Sequence, residues 1–239
     1  MSAIPSNIKI TVVPEDPTSI GLDMIIPISV TVPVSGEAEI TVGESYAPIA
    51  RRAAERYGSD ITSADAREYI LRELMCALGE SGYIPSREII ADSTVTYAAY
   101  GAEQLRTELV TAVAHAISPR DLGGYDNLTM YEPNEIDRGD GSEWMPICAV
   151  TEEGRILSLA AVEEIEQGCA EISVVTADGY TGRGYAASCV CALASFLLSR
   201  GLRVKYVTTG SNVPSALVAE KAGLSRESLS YDAVCFAEE

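Results

Sequence analysis

The period of the hydrophobic and polar positions changes along the chain, and each period predicts a different element of secondary structure. Over residues 1–45, apolar and polar side chains alternate between turns rich in proline and glycine, as they do in half-buried strands. The alternation predicts two or three strands, within Asn7–Val13, Met24–Val34 and Glu37–Val42. Pro27 and Pro33 predict that the middle strand is an edge or broken strand, because proline lacks the N–H that a central strand donates.

A helical period of apolar positions follows these strands. Ala47–Tyr57 has apolar residues at helical spacing and is followed by Gly58, which predicts a short helix. A second, longer helix begins after Ser63, which is a good N-cap, and continues to Gly79. We therefore expect residues 1–90 to form an accessory segment of strands followed by two helices.

The rest of the chain mixes both periods. Residues 119–143 are polar, acidic and rich in turn residues, which is typical of a functional lid or a disordered loop. Strands are predicted at Thr94–Tyr100, Met145–Val150, Ile156–Glu163, Cys169–Thr176 and Lys205–Thr209, with a closing hairpin of Ser225–Ser230 and Tyr231–Phe236. Helices are predicted at Glu103–Ile117, at Gly184–Arg200 and from Asn212 to Gly223. His115 falls in the first of these helices and is interpreted as a packed or surface residue rather than a base.

One stretch combines a strand, a glycine loop and a helix in the order that binds phosphate. The strand Glu171–Thr176 leads to the loop Tyr180–Gly184, and the loop opens directly onto a nearly all-apolar helix. The start of a helix leaves about four N–H groups without partners and carries about half a positive charge. Gly182 and Gly184 permit both a close approach of the ligand and unusual backbone dihedrals. The stretch therefore predicts a phosphate site.

Two classes of protein use such a loop. Residues 182–187 satisfy the dinucleotide pattern G-x-G-x-x-G/A. That pattern should follow its strand at once, but residues 177–181 intervene, and the next strand ends in Thr-Thr-Gly instead of an acidic residue. The strand before the loop is also predicted to come from a hairpin that turns at Glu166-Gln167-Gly168, so its neighbour is antiparallel. A nucleotide-binding enzyme is an alternative that these features disfavour.

The same stretch resembles the GNAT acetyltransferase superfamily in four features that occur in order. Glu171 starts the strand thirteen residues before Gly184. Residues 181–186 resemble the pyrophosphate loop (Arg/Gln)-x-x-Gly-x-(Gly/Ala), with Thr181 where arginine or glutamine is usual. The strand Lys205–Thr209 follows the helix. The last feature is the run Asn212-Val213-Pro214-Ser215 with Glu220-Lys221-Ala222-Gly223-Leu224. It resembles the family's helix motif N-x-x-(A/S)…E-K-x-G-(F/L), especially in the branch that acetylates protein N-termini and ribosomal proteins.

This resemblance implies a fold and a co-substrate. The fold is of the α/β (α+β) class, with a mixed, mostly antiparallel central sheet, helices on both faces, and the N-terminal strands and helices as an extension. Residues 91–239 would form an acetyltransferase domain that binds acetyl-CoA as co-substrate, without a metal. The residues that the resemblance implies for acetyl-CoA binding are Val174, Val175, Thr176, Thr181, Gly182, Arg183, Gly184, Tyr185, Ala186, Asn212 and Ser215.

The implied reaction transfers an acetyl group to a primary amine, either of a small basic molecule or of a peptide. Glu171 is the expected base, because it matches the family's strand glutamate. Many members protonate the departing thiolate with a tyrosine seven residues after the asparagine, where this chain has Ala219. Ser215 matches a position that members without this tyrosine use near the thiolate, and Tyr231 is another candidate acid. Because Thr181 and Ala219 depart from the family pattern, the alternative is a module that binds or senses acyl-CoA with little or no turnover.

Composition narrows the range of partners. The 239 residues include 17 Lys and Arg against 35 Asp and Glu, a net charge of −18, so nucleic acid and anionic membranes would repel the chain. Eleven acidic residues and two basic ones lie from Glu132 to Glu171. They are interpreted either as an acidic channel that attracts amines or as a solvated surface. Tyr125, Tyr131 and Trp144 are candidates for acceptor contacts, since this region covers the acceptor in GNAT proteins, with core packing as the alternative.

Neither a membrane span nor an export signal is visible in the sequence. No apolar run approaches the roughly 18 residues that a span requires, and residues 1–7 lack a basic and then apolar pattern. We therefore expect a cytoplasmic protein, with a homodimer as one option for its accessory segment. The six cysteines are expected to be unpaired thiols that fill apolar space. On a helix, Cys189 and Cys191 would point about 200° apart, which argues against a metal site.

Overall fold

The computed structural model describes residues 8–14, 24–79, 81–87, 90, 92–117, 135–137, 142–144 and 147–237. In chain order, the strands are β1 (Ile8–Val13), β2 (Met24–Pro33), β3 (Ala38–Gly43), β4 (Tyr83–Pro85), β5 (Thr94–Ala99), β6 (His115–Ile117), β7 (Glu135–Asp137), β8 (Ser142–Trp144), β9 (Ile147–Glu152), β10 (Arg155–Glu166), β11 (Cys169–Thr176), β12 (Arg203–Thr209) and β13 (Ser225–Ala237). The α-helices in this part of the chain are α1 (Ala47–Tyr57), α2 (Ala64–Leu78), α3 (Tyr185–Ser199) and α4 (Val213–Ala222). Short 3-10 helices lie at Glu44–Tyr46, Gly58–Asp60, Ala102–Gln104 and Thr107–Leu109.

The chain forms two compact units. The first unit contains Met1–Val95, Thr209–Ser211 and Glu227–Glu239, and the second contains Thr96–Thr208 and Asn212–Arg226. Most strand pairs are antiparallel, whereas β1 with β3 and β11 with β12 are parallel. Together with the four helices of the described residues, this pairing confirms the predicted α+β class with a mixed, mostly antiparallel sheet.

The first unit has the strand order β1-β3-β2-β13, and β4 also pairs with β13. Strands are present at the three predicted N-terminal positions. β2 is not an edge strand, since it pairs with both β3 and β13, but its ladder with β13 is broken at Pro27, which was the other option. Pro27 is tolerated because it lies within a register shift between Ile25 and Ile28, where the ladder is already interrupted. Pro33 is the last residue of the strand.

Both predicted helices of the first unit are confirmed, and their ends follow local capping rules. The Ala66 N–H at the start of α2 donates to Ser63 Oγ at 3.2 Å. Gly58 and Gly79 follow the two helices with φ angles of 51° and 48°. The apolar faces of the helices pack with strand residues in a buried cluster that includes Ile28, Ile40, Ile49, Ile70, Leu74 and Tyr231.

The second unit has the strand order β5-β12-β11-β10-β9-β6, with α3 packed against β9, β10 and β11. The predicted hairpins from β9 to β10 and from β10 to β11 are confirmed. Their two-residue turns are Glu153-Gly154 and Gln167-Gly168, and all four residues have positive φ, as this tight hairpin turn requires. β7 and β8 form a separate antiparallel pair.

The predicted helix Glu103–Ile117 was wrong. The segment instead contains two single-turn 3-10 helices and an extended stretch that ends in β6. The apolar positions do not share one buried face, because Leu105 and Ile117 are buried while Leu109 and Val113 are 47% and 85% exposed. The β-branched residues of the segment also favour extended backbone. His115 therefore lies in a strand, where it is exposed and its Nε2 is 3.3 Å from Thr151 Oγ1.

The predicted closing hairpin was also wrong, because Ser225–Ala237 is one continuous strand. The boundary assumed at Ser230 and Tyr231 contains no glycine, proline or asparagine that would favour a turn, and both residues pair directly with β2. Tyr125, Tyr131 and the side chain of Trp144 lie outside the described residues. No helix in the described part of the chain is long and apolar enough to cross a bilayer.

Candidate functional site

The two parallel strands at the centre of the second unit separate after a short contact. β11 and β12 pair only at Cys169 with Arg203, Ala170 with Val204 and Glu171 with Lys205. Beyond Glu171, β11 continues to pair with β10 up to Thr176, but it has no further partner on β12. The gap leaves backbone N–H and C=O groups of β11 available to a ligand, because they have no ladder partner on that side.

A pocket of about 320 Å³ lies within this unit at the gap. Its walls come from the end of β11, the glycine loop, the first turn of α3, β12 and α4. Lining residues are Val174, Thr176, Tyr180, Thr181, Gly182, Gly184, Tyr185, Ala186, Ala187, Tyr206, Asn212, Pro214, Ser215, Leu217, Val218 and Lys221. The predicted phosphate loop and the predicted Asn212 helix therefore face one pocket.

The start of α3 lies at the edge of this pocket and has no side-chain cap. Gly184 is the N-cap with a left-handed φ of 85°, and no side chain caps the helix start. The first turn contains no acidic residue, and Tyr185, Ala186 and Ala187 of that turn all line the pocket. Their N–H groups precede the first intrahelical hydrogen bond, from Ser188 N to Gly184 O at 3.1 Å, so they remain donors for an anion.

The segment that was predicted as a helix holds this loop in place. Thr111 Oγ1 donates to the Arg183 carbonyl at 2.9 Å, and the Ala112 N–H donates to Ser188 Oγ at 3.3 Å. A Cβ built on Gly184 would meet the Thr111 side chain, so glycine is required there both by its φ and by space. Sequence reasoning missed Thr111, because its contact spans 72 residues of chain.

The start of α4 supplies the opposite wall of the pocket. Asn212 Oδ1 accepts the Ser215 N–H at 3.2 Å, which is the predicted cap, and a proline stands in the first turn. The Ser215 side chain is 2.7 Å from the hydroxyl of Tyr206 on β12. Tyr206 is only 3% exposed. Burial raises the pKa of Tyr206, and the hydrogen bond with Ser215 opposes this shift.

The structure gathers most of the predicted binding residues and separates two of them. Nine of the eleven predicted for acetyl-CoA line the pocket, whereas Val175 and Arg183 do not. Val175 is on the other face of β11 from Val174, because side chains alternate along a strand. The Arg183 guanidinium lies 5.0 Å from the centre of the Tyr180 ring and donates to the Gly179 carbonyl at 3.1 Å.

The predicted base Glu171 is held in an ion pair. Its carboxylate lies 2.6 Å from Lys205 Nζ, directly across the parallel ladder. Strand alternation places Glu171 on the face of β11 opposite to the pocket-lining Val174 and Thr176. The side chains of Lys205 and Glu171 are 37% and 28% exposed, so solvent screens the pair.

Replacing Lys205 by methionine is expected to cost at most about 1 kcal/mol of stability at pH 7, the usual range for an exposed pair. The hydrogen bond with Glu171 raises the pKa of Lys205 in the folded state. A raised pKa means that this contribution is complete below the unfolded lysine value of about 10.4 and is lost as pH rises through the folded value. Denaturant unfolding at several pH values should therefore show a stability difference between wild type and variant that closes as pH rises beyond the unfolded lysine value. A stability difference that widens at high pH would contradict the ion pair. Glu171→Gln should show the same loss of stability as the Lys205 variant, and the double variant should show no further loss.

Tyr231, the second predicted acid, lies in the core of the first unit. It is almost fully buried, and its hydroxyl donates to the Ile61 carbonyl at 3.1 Å. Burial raises the pKa of Tyr231 well above its ordinary value. This placement indicates that Tyr231 has a packing role.

Several pocket residues were missed by the sequence analysis, notably Tyr180, Tyr206, Leu217 and Lys221. The alternation in β12 does place Tyr206 on the buried face with Val204 and Thr208. This signal could have identified Tyr206 as inward-facing, but it does not reveal Ser215 as its partner.

The cysteines and acidic groups provide no metal site in the described residues. No cluster of three metal-ligating side chains occurs among them, and no disulfide joins the six cysteines, all of which are described. Cys189 on α3 donates to the Ser158 carbonyl at 3.3 Å. Burial raises the pKa of Cys148 to about 12 and that of Cys189 to about 11, so both thiols stay protonated and pack.

No protein-family model matches the chain, and no curated protein matches it. Solved structures are similar to it, among them a GNAT-family acetyltransferase from Colwellia psychrerythraea, with 14% identity and a TM-score of 0.43. That match covers 67% of this chain and 60% of the other, so this chain spans less than two thirds of that protein's length. A GCN5-related N-acetyltransferase-like protein from Streptococcus suis has 18% identity, a TM-score of 0.44 and 67% coverage of both chains. A GCN5-related N-acetyltransferase from Kribbella flavida has 13% identity and a TM-score of 0.44, with 80% of this chain and 76% of the other covered. At these identities the likeness concerns the fold alone and assigns no reaction to this chain.

Proposed function

We propose that the chain is an acetyl-CoA-dependent N-acetyltransferase that acts on a primary amine. The observation that carries this proposal is the combination, in one pocket, of an uncapped helix start and a gap between two parallel strands. The first feature suits a pyrophosphate group and the second suits an extended arm that needs backbone partners. A ligand with both parts is an acyl-CoA.

The residues present fit this co-substrate. Gly182 and Gly184 have φ angles of 76° and 85°, so backbone with no side chain borders the place where phosphate would lie. Val174 and Thr176 would contact the pantetheine arm, while Asn212 and Ser215 form the wall across from them. Bound acetyl-CoA supplies an activated acetyl group and a thiol leaving group. A nucleotide with only a phosphate end would leave the strand gap unused.

Acetyl transfer requires a neutral amine nitrogen and an orienting site. Glu171 remains the proposed base because of the family resemblance. Its side chain lies on the face of β11 opposite to the pocket-lining Val174 and Thr176, so it would take the ammonium proton through water. The net charge of −18 favours a cationic acceptor, either a small basic molecule or a peptide amine. As the finer proposal, we place protein N-termini among the peptide amines, because of the resemblance of the Asn212–Leu224 run.

The thermal midpoint with and without acetyl-CoA tests this proposal first. Acetyl-CoA at about 100 times its dissociation constant should stabilise the protein by about 2.7 kcal/mol, or roughly 8 °C for a chain of this size. NAD and ATP serve as controls and should give no comparable rise. Thiol release should then be measured against a panel of polyamines, aminoglycoside-like amines and peptides with different N-terminal residues. Stabilisation by NAD or ATP alone would contradict the proposal.

A second candidate function is a module that binds acyl-CoA with little turnover. The ion pair of Glu171 with Lys205 favours it, because a carboxylate engaged by an ammonium group is a weaker proton acceptor. Binding of acetyl-CoA without thiol release for any amine on the panel would select this second function.

A further inference from the structure

The hydroxyl pair of the buried Tyr206 and the part-buried Ser215 has more hydrogen-bonding capacity than one mutual hydrogen bond uses. The two oxygens lie 2.7 Å apart, and either can donate to the other. Two hydroxyls carry two protons, and one hydrogen bond between them uses only one. Because both residues line the pocket, the second proton can point into it.

The position of the pair along the strands places it at the inner end of the pocket. β11 and β12 last pair at Glu171 with Lys205, and Tyr206 is the next residue of β12. The loop and helix start follow the other end of β11, beyond Thr176. At about 3.3 Å per residue, the strand between Glu171 and Thr176 spans about 16 Å. A ligand with its phosphates at the helix start therefore extends its far end towards Tyr206.

Other titratable groups of the pocket lie elsewhere. Tyr180 and Tyr185 belong to the loop and to the first helical turn, at the phosphate end. Lys221 is in the last turn of α4, six residues beyond Ser215, which is about 9 Å along a helix. Among the pocket residues that the structure describes, Tyr206 and Ser215 are thus the hydroxyl groups at the inner end.

We propose that Ser215 and Tyr206 form a proton relay to the sulfur that leaves during acetyl transfer, an inference that rests on the proposed function. As the amine nitrogen bonds to the acetyl carbon, the carbon–sulfur bond breaks and its electron pair stays on sulfur. Sulfur takes the proton of Ser215 Oγ while Ser215 takes the proton of the Tyr206 hydroxyl. The amine loses its proton to Glu171 or water, and water later reprotonates Tyr206. The net result is one amide and one thiol for each amine and thioester.

The environment suits such a relay. Burial raises the pKa of Tyr206, so the phenol stays protonated at neutral pH but becomes a weaker acid. The hydrogen bond with Ser215 opposes this shift and therefore favours donation along the relay. A thiolate expelled beside this part-buried pair would also be partly desolvated, so transfer of the proton moves the charge between two poorly solvated groups. General acids of this kind typically accelerate reactions by about 10² to 10⁴.

Tyr206→Phe tests the relay because it removes one oxygen and keeps the ring. We expect kcat for thiol release to fall by about 100-fold or more, with KM for acetyl-CoA within about threefold of the wild-type value. Ser215→Ala breaks the relay at its other end and should lower kcat similarly, without a further loss in the double variant. Tyr69→Phe, which removes a hydroxyl from the core of the first unit, is the matched control. Thermal midpoints confirm that each variant is folded.

Binding provides a readout that does not depend on turnover. Wild-type protein should bind CoA about fivefold more tightly than an analogue in which hydrogen replaces the thiol group, and Tyr206→Phe should remove this difference. An unchanged kcat in Tyr206→Phe would overturn the relay while leaving the transferase function intact. If the wild type binds acetyl-CoA but releases no thiol, the proposed function fails. In that case, equal affinities of the wild type for CoA and for the sulfur-free analogue would overturn the relay as well. A difference in affinity that Tyr206→Phe removes would instead show that the hydroxyl pair contacts the sulfur.

Discussion

Replacing Ala186 by aspartate is expected to weaken acetyl-CoA binding by about 100-fold. Ala186 lies in the first turn of α3 and lines the pocket, so the new carboxylate would stand where the proposed function places the pyrophosphate. Two like charges about 6 Å apart repel each other by about 3 kcal/mol at an effective dielectric constant of 20. The same carboxylate interacts favourably with the helix start, which contains no acidic residue of its own. The thermal midpoint without ligand should therefore stay the same or rise slightly.

Weaker acetyl-CoA binding together with an unchanged or higher thermal midpoint would distinguish loss of binding from loss of folding. Ala186→Asn is the matched control, because asparagine has nearly the same shape and helix propensity as aspartate but no charge. Calorimetric titration with acetyl-CoA should show a loss of much less than 100-fold for this variant. Equal losses in both variants would indicate a steric clash, and full binding by Ala186→Asp would show that no phosphate lies at the start of α3.

The ends of helices could be predicted because the signals that determine them are local. Ser63 and Asn212 each accept an N–H from a residue three positions later, and Gly223 follows α4 in a left-handed conformation. Each of these interactions closes within one turn of chain, so the residue type and its spacing are sufficient information. The glycine loop belongs to the same class, since its donors and its glycines are contiguous in sequence.

The failed predictions share a different cause. The stripe of apolar residues in residues 103–117 had helical spacing, but spacing alone does not tell whether a surface exists for the stripe to cover. In β13 the error was a turn placed at Ser230 and Tyr231, although antiparallel pairing with β2 continues through both residues. Both outcomes depend on partners that lie far away in sequence.

The residues of the candidate site also fall into local groups, which the sequence indicated, and distant pairs, which it did not. The phosphate end is made of neighbouring residues and was predicted, whereas the hydroxyl pair joins β12 to α4 and was not. The family pattern directed attention to position 219, where the alanine is fully buried and carries no hydroxyl. A proton donor can come from any element that borders a pocket. The sequence does not tell which element this is, whereas the fold places the hydroxyl of Tyr206 at the pocket.

Replacing Gly223 by alanine is expected to lower the thermal midpoint by about 10 °C. Gly223 has a φ of 96°, which costs an L-residue about 1–2 kcal/mol. A Cβ at this position would also meet the backbone of residues 104–106, within the same unit. The Arg106 N–H already donates to the Ala222 carbonyl at 3.1 Å, so this backbone has little freedom to retreat. Strain and overlap together should cost about 3 kcal/mol, at roughly 2–4 °C for each kcal/mol.

Gly201→Ala is the control that isolates the overlap from the backbone strain. Gly201 follows α3 with a φ of 78°, close to that of Gly223, but a Cβ there would meet nothing within 4 Å. Its replacement should therefore cost only about 1 kcal/mol, or roughly 3 °C. Equal midpoints for the two variants would show that residues 104–106 do not pack against the end of α4. A larger loss for Gly223→Ala would show that this contact fixes the helix that carries Asn212 and Ser215 into the pocket.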